Sequence, residues 1–597
     1  MAAHSRAVCQ SSVARPVLQS RDLVASCPSL YSVRAAPAVL FLASSCQPAR
    51  RANSIFTLAT ENSVFTSQRG IKNHVFGRKD SALGRGLACV RFDSMTNSNR
   101  VPSEQFEPNT IRCSSGSPGL DDVLGGGLPV GHFYLVEGEP GTGKTTLALQ
   151  FVAEGIKRGE KVLYATLSES SRELLAIARV HHLGVDSSAV LEVRPSEDDL
   201  RPEGQYTVFH PAEVELNDRV QAIMAEIDRR KPERLVIDAL SEVRMLAKDP
   251  LRYRRQILSL KQYAPENCTV MLLDDRSSQY ADLELHSIVH GVISLARVAR
   301  EYGKTLRRLE VTKLRGCAFR EGYHDYLIRS GGIVIFPRLV AAEYTNGNSR
   351  PHPALSGIPE LDALVGGGLD RGTSTLLIGP AGCGKTTIAL RWLTSAAERG
   401  ETAAAFVFEE TVESLVGRAA GLGMDISKHV ESGRLIISHI DPAEVSPGEF
   451  VDMVRNAVEN HNVRSVLIDS LNGFLQAMPG EQFLALHLHE LLTYLNNRGV
   501  LTLMVVAQMG LVGSAMQTPI DVSYLSDNIL ILRYFEAAGE IRQAISMMKK
   551  RSGSHERSIR ELRLGPKTIH VGPPLSDFQG ILSGSPTSFV PSVEKGR

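Results

Sequence analysis

The stretch GEPGTGKTTLAL, at residues 138–149, recurs almost letter for letter as GPAGCGKTTIAL at residues 379–390. Each copy fits the pattern G-x-x-x-x-G-K-T and stands between an apolar run and a helical run. Glycines in this pattern let backbone N–H groups turn inward around phosphate groups, and the N-terminus of the following helix adds its positive end. The chain is therefore constrained to form two phosphate-binding α/β units.

The two loops predict two sites for ATP and Mg²⁺. In such a loop the lysine reaches the β and γ phosphate oxygens, and the threonine after it ligates Mg²⁺. Asp238 and Asp469 each end an apolar strand, where a P-loop enzyme places the carboxylate that orients the Mg²⁺ water shell. A solvated strand-end aspartate is the alternative. The predicted metal residues are Thr145 and Asp238 in the first half, and Thr386 and Asp469 in the second. The predicted nucleotide-binding residues are Gly138, Gly141, Thr142, Gly143, Lys144, Thr145, Thr146, Gly379, Gly382, Cys383, Gly384, Lys385, Thr386 and Thr387.

The duplication extends well beyond the loops. Ser115–Gly131 aligns with Ser356–Gly372 at an offset of 241 residues, which holds through Glu169 and Glu410. Farther on, RLVIDAL and SVLIDSL align at an offset of 231, and KLRG and KKRS at 236. Shifting offsets indicate short loop deletions within one repeated fold. The predicted segments are a leader (1–100), a first domain (101–345), a linker (346–354), a second domain (355–585) and a C-terminal tail (586–597).

Within each half, apolar β-rich runs alternate with amphipathic helical patterns. The runs FYLVEG, VLYATL, RLVIDA and TVMLLD bracket stretches such as residues 145–157. Nearly continuous apolar strands separated by helices are typical of a parallel sheet covered on both faces. We therefore predict two tandem α/β domains, each with a mostly parallel sheet between two helical layers, after a disordered leader.

The first hundred residues differ in composition from the rest. They contain four acidic residues against thirteen Lys or Arg, with abundant Ser and Ala. An acid-poor, Arg- and Ser-rich segment is typical of an organelle transit peptide, and Val33–Ala36 resembles a plastid processing site. We therefore expect an organelle location, with the chloroplast favoured over the mitochondrion. A secretory signal built on the apolar run Ala35–Ala43 is the less favoured alternative.

Charge and hydropathy argue against two kinds of partner. Removing the leader's thirteen basic and four acidic residues from the totals of 66 and 65 leaves 53 and 61, a net charge of −8. Such a body lacks the global basic field that drives nonspecific binding to nucleic acid. No window approaches the roughly 20 consecutive apolar residues of a membrane-spanning helix. Neither nucleic acid nor a membrane is therefore an expected partner.

A pair of acids ends the strand after the second P-loop helix. Glu409 and Glu410 are adjacent there, so one can face the nucleotide as the general base that activates water while its neighbour turns away. In the first half Ser168 replaces the first acid and leaves only Glu169. A serine hydroxyl does not accept a proton as a carboxylate does. An ordinary acidic loop is the alternative in both halves.

Together these motifs resemble the KaiC family of double RecA-type ATPases. The resemblance spans roughly residues 115–586, with GxxxLDxxLGGGL openings, both P-loops, FEET at 408–411, KLRG at 313–316, and the run 539–562 followed by SGSPT at 583–587. It implies two RecA-like domains and a hexameric ring that binds ATP between neighbouring subunits. The implied partners are further copies of the chain and an unidentified regulatory protein. The LSES sequence around Ser168 resembles the first repeat of non-clock members, which implies that the second site is the better catalyst.

The resemblance also implies that basic residues act on the neighbouring subunit. They would stabilise the charge that develops on the transferred phosphoryl group. These residues are Lys313 and Arg315 in the first domain, and Lys549 and Arg551 in the second. His555 matches a nucleotide contact of the family, whereas Phe319 stands at the equivalent first-domain place. A solvated basic turn is the alternative for either segment.

Three further positions are assigned by the same resemblance. Matching backward from Asp527 puts Ser523 and Tyr524 at the adjacent Ser-Thr pair that clock members phosphorylate, and Thr518 at a nearby acceptor position. Ser523 is therefore a candidate for autophosphorylation, and an unmodified loop serine is the alternative. Tyr524 and the short tail after Thr587 favour a non-clock member.

RecA-like ATPases often place a γ-phosphate sensor where Gln508 ends its strand. We expect Asp274 and Asp275 at the comparable position of the first half. A polar strand cap is the alternative for Gln508.

Two other function classes remain as alternatives. A RecA-type nucleic-acid motor or recombinase would show DNA-stimulated ATP turnover and a steep inverse salt dependence of binding. A ring scaffold that binds ATP without turnover would be dispersed by Lys144→Ala and unaffected by Glu409→Gln.

Overall fold

The structure is a computed structural model. It describes residues 111–193, 211–276, 283–300, 302–344, 352–476, 484–508, 524–582 and 587–588. The predicted leader, most of the linker and most of the tail lie outside these residues, as do Thr518 and Ser523. Among the described helices, none is long and apolar enough to cross a membrane.

The first domain contains eleven strands and seven α-helices in its described part. The strands are β1 (Arg112–Cys113), β2 (Leu128–Pro129), β3 (Phe133–Gly138), β4 (Val162–Thr166), β5 (Val190–Glu192), β6 (Arg234–Asp238), β7 (Thr269–Asp275), β8 (Gly291–Val298), β9 (Leu306–Leu314), β10 (Tyr323–Arg329) and β11 (Gly332–Phe336). The helices are α1 (Pro118–Val123), α2 (Lys144–Lys157), α3 (Ser171–Val180), α4 (Pro211–Arg230), α5 (Leu240–Ala247), α6 (Pro250–Tyr263) and α7 (Leu283–Ile288). Short 3₁₀ turns lie at Ser187–Ala189 and Ala341–Glu343.

The second domain repeats this order. Its strands, with the two short ones that follow it, are β12 (Ser374–Gly379), β13 (Thr402–Val407), β14 (Leu435–His439), β15 (Val463–Asp469), β16 (Leu501–Ala507), β17 (Asn528–Ala537), β18 (Glu540–Lys550), β19 (Ile559–Gly565), β20 (Thr568–Pro574), β21 (Phe578–Gln579) and β22 (Thr587–Ser588). Its helices are α8 (Pro359–Leu364), α9 (Lys385–Glu398), α10 (Val412–Gly421), α11 (Ser427–Glu431), α12 (Pro447–Asn460), α13 (Leu471–Gln476) and α14 (Leu484–Asn497).

Each domain is built on a nine-stranded sheet with the same strand order. The order is β5-β4-β6-β7-β3-β8-β9-β10-β11 in the first and β14-β13-β15-β16-β12-β17-β18-β19-β20 in the second. In each, the first six strands are parallel and the last three extend one edge as an antiparallel meander. The predicted pair of tandem RecA-like domains is confirmed.

The central strands are apolar because they are covered on both faces. All six residues of β3 are buried, and so are all six of β12. Successive side chains of a strand point to opposite faces. Tyr134 and Val136 of β3 pack in a core cluster with helix α2, whereas Phe133 and Leu135 pack on the other face with α4 and α6. Each sheet therefore lies between two helical layers, as expected for parallel strands.

The strand register confirms the repeat alignment near the basic segments. The β8–β9 pair has a register shift between Val292 and Ile293, and β17–β18 has one between Ile529 and Leu530. Lys313 lies opposite Val292 in the first pair, and Lys549 lies opposite Ile529 in the second. KLRG and KKRS therefore occupy equivalent places, as the offset of 236 predicts.

Helix α12 of the second domain contacts strand β10 of the first. Gly448, in the first turn of α12, donates its backbone N–H to Asp325 Oδ2 over 2.8 Å, and Arg329 forms an ion pair with Glu449. A carboxylate at a helix N-terminus satisfies free N–H groups and complements the helix dipole. The neighbouring Tyr326 hydroxyl donates to the carbonyl of Thr142 over 2.6 Å. One strand thus contacts both the first P-loop and the second domain.

Candidate nucleotide-binding sites

Both predicted P-loops connect a buried strand to a helix that starts at the motif lysine. The residue before each lysine adopts a left-handed conformation, with φ of 99° at Gly143 and 98° at Gly384. A Cβ at Gly143 would lie 2.7 Å from Ile328 Cδ1, and one at Gly384 would lie 2.7 Å from Leu564 Cδ1. Only glycine fits such positions. Both loops thus have the turn and the exposed helix N-terminus that a phosphate group requires.

The threonine after each lysine meets the predicted strand-end aspartate. Thr145 Oγ1 donates to Asp238 Oδ2 over 3.2 Å, and Thr386 is hydrogen-bonded to Asp469. Burial raises the pKa of both carboxyl groups above the usual range, and these hydrogen bonds oppose the rise. Hydroxyl and carboxylate oxygens are the ligands that Mg²⁺ prefers. The donor set of each site therefore fits Mg²⁺.

The two P-loop lysines have different surroundings. Lys144 Nζ lies 2.7 Å from Asp275 Oδ1 and also donates to the carbonyls of Gly138 and Glu139. Lys385 Nζ donates to the carbonyl of Pro380 over 2.7 Å. In the strand register Asp275 pairs with Gly138, and the residue that pairs with Gly379 is Ala507. The first lysine alone therefore has a carboxylate at this position.

The expected equivalence of Gln508 with Asp274 and Asp275 is wrong. Gln508 donates its backbone N–H to the Gly379 carbonyl over 3.0 Å, and it is Arg276 that makes the same bond to Gly138, over 3.1 Å. The sensor place of the first domain therefore holds an exposed arginine. Asp274 lies two residues earlier and forms an ion pair with Arg244.

In the second domain the two adjacent acids make different contacts. Glu410 is held by Arg418, whose Nη2 lies 2.6 Å from Oε2, and by the Ser414 hydroxyl. Burial alone would raise the pKa of Glu410, but these hydrogen bonds outweigh it and hold the pKa below its usual range. Glu409 accepts a hydrogen bond of 2.5 Å from Ser470, the residue after Asp469. Glu409 is therefore the acid that lies toward the predicted Mg²⁺ site.

In the first domain the single acid has the opposite environment. Glu169 corresponds to Glu410, and Glu173 and Ile177 stand where Ser414 and Arg418 stand in the second domain. Burial raises the pKa of Glu169, and the nearby charges of Asp238 and Glu173 raise it further. Its buried Oε2 has no hydrogen-bond partner among the described residues. Glu169 thus lacks the cation that its counterpart has.

The predicted trans-acting residues lie at the far end of each sheet from their own P-loop. The backbone of Arg315 donates to His290, which in turn donates to Phe133 at the start of β3. Arg551 is linked through Asp527 to Ser374, at the start of β12. The first P-loop glycine lies five positions after each starting point, a distance of about 16 Å along a strand. Within one subunit the backbone of these residues therefore lies at the opposite end of the strands from the P-loop of the same domain.

The family model described as "ATPase: KaiC" matches this chain twice, over residues 113–340 and 354–576. The chain belongs to the KaiC ATPase family. It is thus a tandem-repeat P-loop ATPase, and ATP binding is the property that its two sites share with the family.

Curated relatives of the KaiC family align over most of both chains. Circadian clock protein KaiC3 of Synechocystis sp. is 27% identical over 480 residues, which cover 80% of this chain and 94% of the relative. Circadian clock oscillator protein KaiC of Synechococcus elongatus is 27% identical over 478 residues, covering 79% and 90%. The KaiC of a Nostoc species is 28% identical over 477 residues, with the same coverage of 79% and 90%.

The backbone after His555 makes the same hydrogen bond as the equivalent backbone after Phe319 in the first domain. Glu556 donates its backbone N–H to Leu364 over 3.1 Å, and Arg320 donates in the same way to Val123 over 2.8 Å. His555 is half-buried, whereas Phe319 packs against the apolar core of the first domain. The family contact predicted for His555 therefore has no polar counterpart in the first domain.

Cys383 and Thr142 occupy the same place in the two P-loops. Thr142 Oγ1 donates to the carbonyl of Glu139 over 2.8 Å, whereas Cys383 is fully buried. Burial raises the pKa of the Cys383 thiol, so it stays protonated at neutral pH. Cys383 therefore packs the loop as a small side chain.

Several site residues escaped the sequence analysis. Arg418 lies one helix turn beyond Ser414 on α10, and Ser414 itself donates to Glu410, so the i,i+4 spacing of Arg418 from Ser414 was a signal that could have identified it. Tyr164 donates its hydroxyl to Asp238 over 2.6 Å, and Ala405 stands at its place in the second domain. Asp275 was noted, but its contact with Lys144 depends on the pairing of β3 with β7, which is not encoded in local sequence.

Proposed function

We propose that the chain assembles into a hexameric ring and hydrolyses ATP at the seams between subunits. The position of four cations at the sheet ends opposite their own P-loops carries this proposal. A residue about 16 Å behind its own phosphate site along the strands is poorly placed to act there but well placed to face a neighbour. The four cations are Lys313, Arg315, Lys549 and Arg551.

In the second domain the residues fit distinct catalytic roles. Lys385 would hold the β and γ phosphates, while Thr386 and Asp469 would hold Mg²⁺, which neutralises phosphate charge when bound. Glu409 would accept the proton of the attacking water. Lys549 and Arg551 of the next subunit would stabilise the charge that develops on the transferred group.

The first domain is proposed to bind ATP and turn it over slowly. Ser168 stands at the Glu409 position, Glu169 lacks a cationic partner, and Asp275 competes with phosphate for Lys144. A site of this kind holds nucleotide between subunits more effectively than it activates water. Its main contribution would be to the stability of the ring.

Serine or threonine autokinase activity is a second proposal for the second domain. The same base could accept a proton from the Ser523 hydroxyl, or from Thr518, in place of water. The support is the sequence match to clock members of the family, since both hydroxyls lie outside the described residues.

Location and partners are proposed on sequence grounds. The acid-poor leader supports import into an organelle, with the chloroplast favoured. The regulatory protein that responds to the ring is of unidentified type. The acidic body supports a role apart from nucleic acid.

The experiment is native mass measurement and phosphate release on residues 101–597, with and without Mg·ATP. We expect a hexamer that forms with nucleotide, and hydrolysis that Lys385→Ala lowers about 100-fold, to the slow turnover of the first site. A monomer with bound nucleotide would contradict the seam sites. Phosphopeptide mapping of the same sample tests Ser523 and Thr518, and absence of phosphate on both would remove the autokinase proposal.

A further inference from the structure

We infer that His286 is a positioning residue for the cations that the first domain lends to its neighbour, given the ring proposed above. Through its contact with Glu137, His286 fixes helix α7, and the carbonyl groups at the end of α7 orient Lys313 and Arg315. His286 itself touches neither the nucleotide nor the reacting water in this arrangement.

The two cations are held by backbone carbonyls of α7 and of Val289, the residue that follows it. Lys313 Nζ donates to the Val289 carbonyl over 2.8 Å and also to that of His286. Arg315 Nη2 donates to the Ser287 carbonyl over 2.6 Å. The last carbonyls of a helix lack partners within the helix and carry partial negative charge, so they suit cations. The position of α7 therefore sets the position of both side chains.

Helix α7 is in turn attached to the central strand β3 through the imidazole ring of His286. His286 Nε2 lies 2.9 Å from Glu137 Oε2, and Ser294 donates its hydroxyl to Glu137 Oε1 over 2.7 Å. The Glu137 side chain is only 11% exposed. A carboxylate buried to this extent requires hydrogen-bond partners, so the His286 contact is costly to break. Glu137 also adjoins Gly138, the first residue of the subunit's own P-loop.

The second domain also holds its lysine by a backbone carbonyl, since Lys549 Nζ donates to Ser526 over 2.7 Å, but it holds its arginine differently. Its residues at the Glu137 and Ser294 places are Ile378 and Ile531. There Arg551 forms an ion pair of 2.8 Å with the Asp527 carboxylate. The first-domain counterpart of Asp527 is His290, which stacks on His132 with ring centroids 3.9 Å apart. His290 offers Arg315 no negative charge, so orientation in the first domain depends on the carbonyls of α7.

A mixing experiment separates an effect on the neighbour from an effect on the subunit's own P-loop. All subunits carry Lys385→Ala, so that only first-domain sites turn over. A minority has an intact first domain, and a ninefold excess carries Glu169→Gln with or without His286→Ala. Glu169→Gln removes the single acid of the first site and leaves Lys144 to bind nucleotide, so the excess subunits can still enter rings. Nearly every intact first-domain P-loop site then faces cations lent by an excess subunit. Phosphate release per intact first-domain site and native mass are measured.

We expect His286→Ala in the excess subunit to lower hydrolysis at the neighbouring intact P-loop about tenfold, because misplacement of a charge-stabilising group is costly. His286→Gln, whose amide can still donate to Glu137, should stay within about twofold of the unsubstituted excess subunit. His286→Asn, with a shorter reach, should resemble His286→Ala. If either the alanine or the asparagine variant fails to enter rings, the other carries the comparison.

Suppose that His286→Ala and His286→Asn both leave hydrolysis unchanged while Lys313→Ala in the excess subunit lowers it. That result would overturn the positioning role of His286 and leave the ring mechanism standing. Equal loss with His286→Gln and His286→Ala would also overturn the positioning role, since the amide contact would then not matter. If Lys313→Ala in the excess subunit has no effect either, the lent cations are not catalytic, and both the ring mechanism and the role of His286 fail.

Discussion

The two nucleotide sites share one backbone design and differ in the side chains around it. Both have left-handed glycines before the lysine and a threonine that meets a strand-end aspartate. In the first site a carboxylate lies against Lys144, and Glu169 is half-buried with no cation bound to it among the described residues. In the second site Ala507 replaces that carboxylate, and Arg418 neutralises Glu410 while Glu409 remains beside Ser470. The phosphate cradle has thus been kept in both copies, while the groups that act on water and on the lysine have diverged.

The largest expected difference is between the two lysine variants. Lys385→Ala should lower steady-state ATP hydrolysis about 100-fold, because it removes phosphate contacts at the better-equipped site. Lys144→Ala should lower hydrolysis by less than about twofold and weaken ring assembly instead. Phosphate release and native mass, measured on both variants, check this. Equal losses of hydrolysis would remove the functional asymmetry.

The next largest difference should be between the hydrolysis rates of variants at the two adjacent acids, Glu409 and Glu410. Glu409→Gln should lower hydrolysis about 100-fold, within the range for loss of a general base. Glu410→Gln should lower it only a few-fold, through loss of its Arg418 ion pair. Single-turnover rates on the two variants, which differ by one position, test the assignment. A larger loss for Glu410→Gln would make Glu410 the base.

The Asp275 carboxylate beside Lys144 should weaken ATP binding at the first site, and this effect should be smaller than the two described above. Asp275 is 41% exposed, and a pair of this exposure contributes little, so Asp275→Asn should tighten first-site ATP binding about two- to fivefold. The reciprocal variant Ala507→Asp should weaken second-site binding by a similar factor. Titration with a fluorescent ATP analogue measures each site when the other lysine is replaced by alanine. Opposite signs would show that Asp275 assists binding.

The smallest effect concerns pH. Burial and nearby acids raise the pKa of Glu169, and a base acts only when deprotonated. As the pH falls, first-site hydrolysis should therefore decline at a higher pH than it would if the pKa of Glu169 were that of an ordinary glutamate. Ile177→Arg places a cation where Arg418 stands in the second domain and should move this acid limb to lower pH. The Ile177→Leu control should leave the acid limb of the pH–rate profile unchanged. If Ile177→Arg leaves it unchanged as well, ionisation of Glu169 does not control first-site hydrolysis.

The fold and the phosphate loops were predictable because their signals are local or repeated. The spacing of glycine, lysine and threonine specifies the cradle, and the offset between Lys313 and Lys549 specifies equivalent positions that the strand register confirms. The roles of Glu409 and Glu410 were left open because Ser470 reaches Glu409 only once β13 and β15 pair. The misplaced sensor has a similar origin, since Arg276 is identified only by its backbone bond to Gly138.

The seam sites are tested most directly by mixing two inactive second-domain variants, both in a Lys144→Ala background. One variant carries Glu409→Gln and keeps Lys549 and Arg551, the cations that it would offer to its neighbour. The other carries Lys549→Ala with Arg551→Ala and keeps Glu409 as its base. If the cations act on the neighbour, random mixed rings contain seams with an intact base and intact cations, and hydrolysis should recover to about a quarter of the unsubstituted rate. No recovery from rings shown by native mass to be mixed would contradict catalysis across the seam.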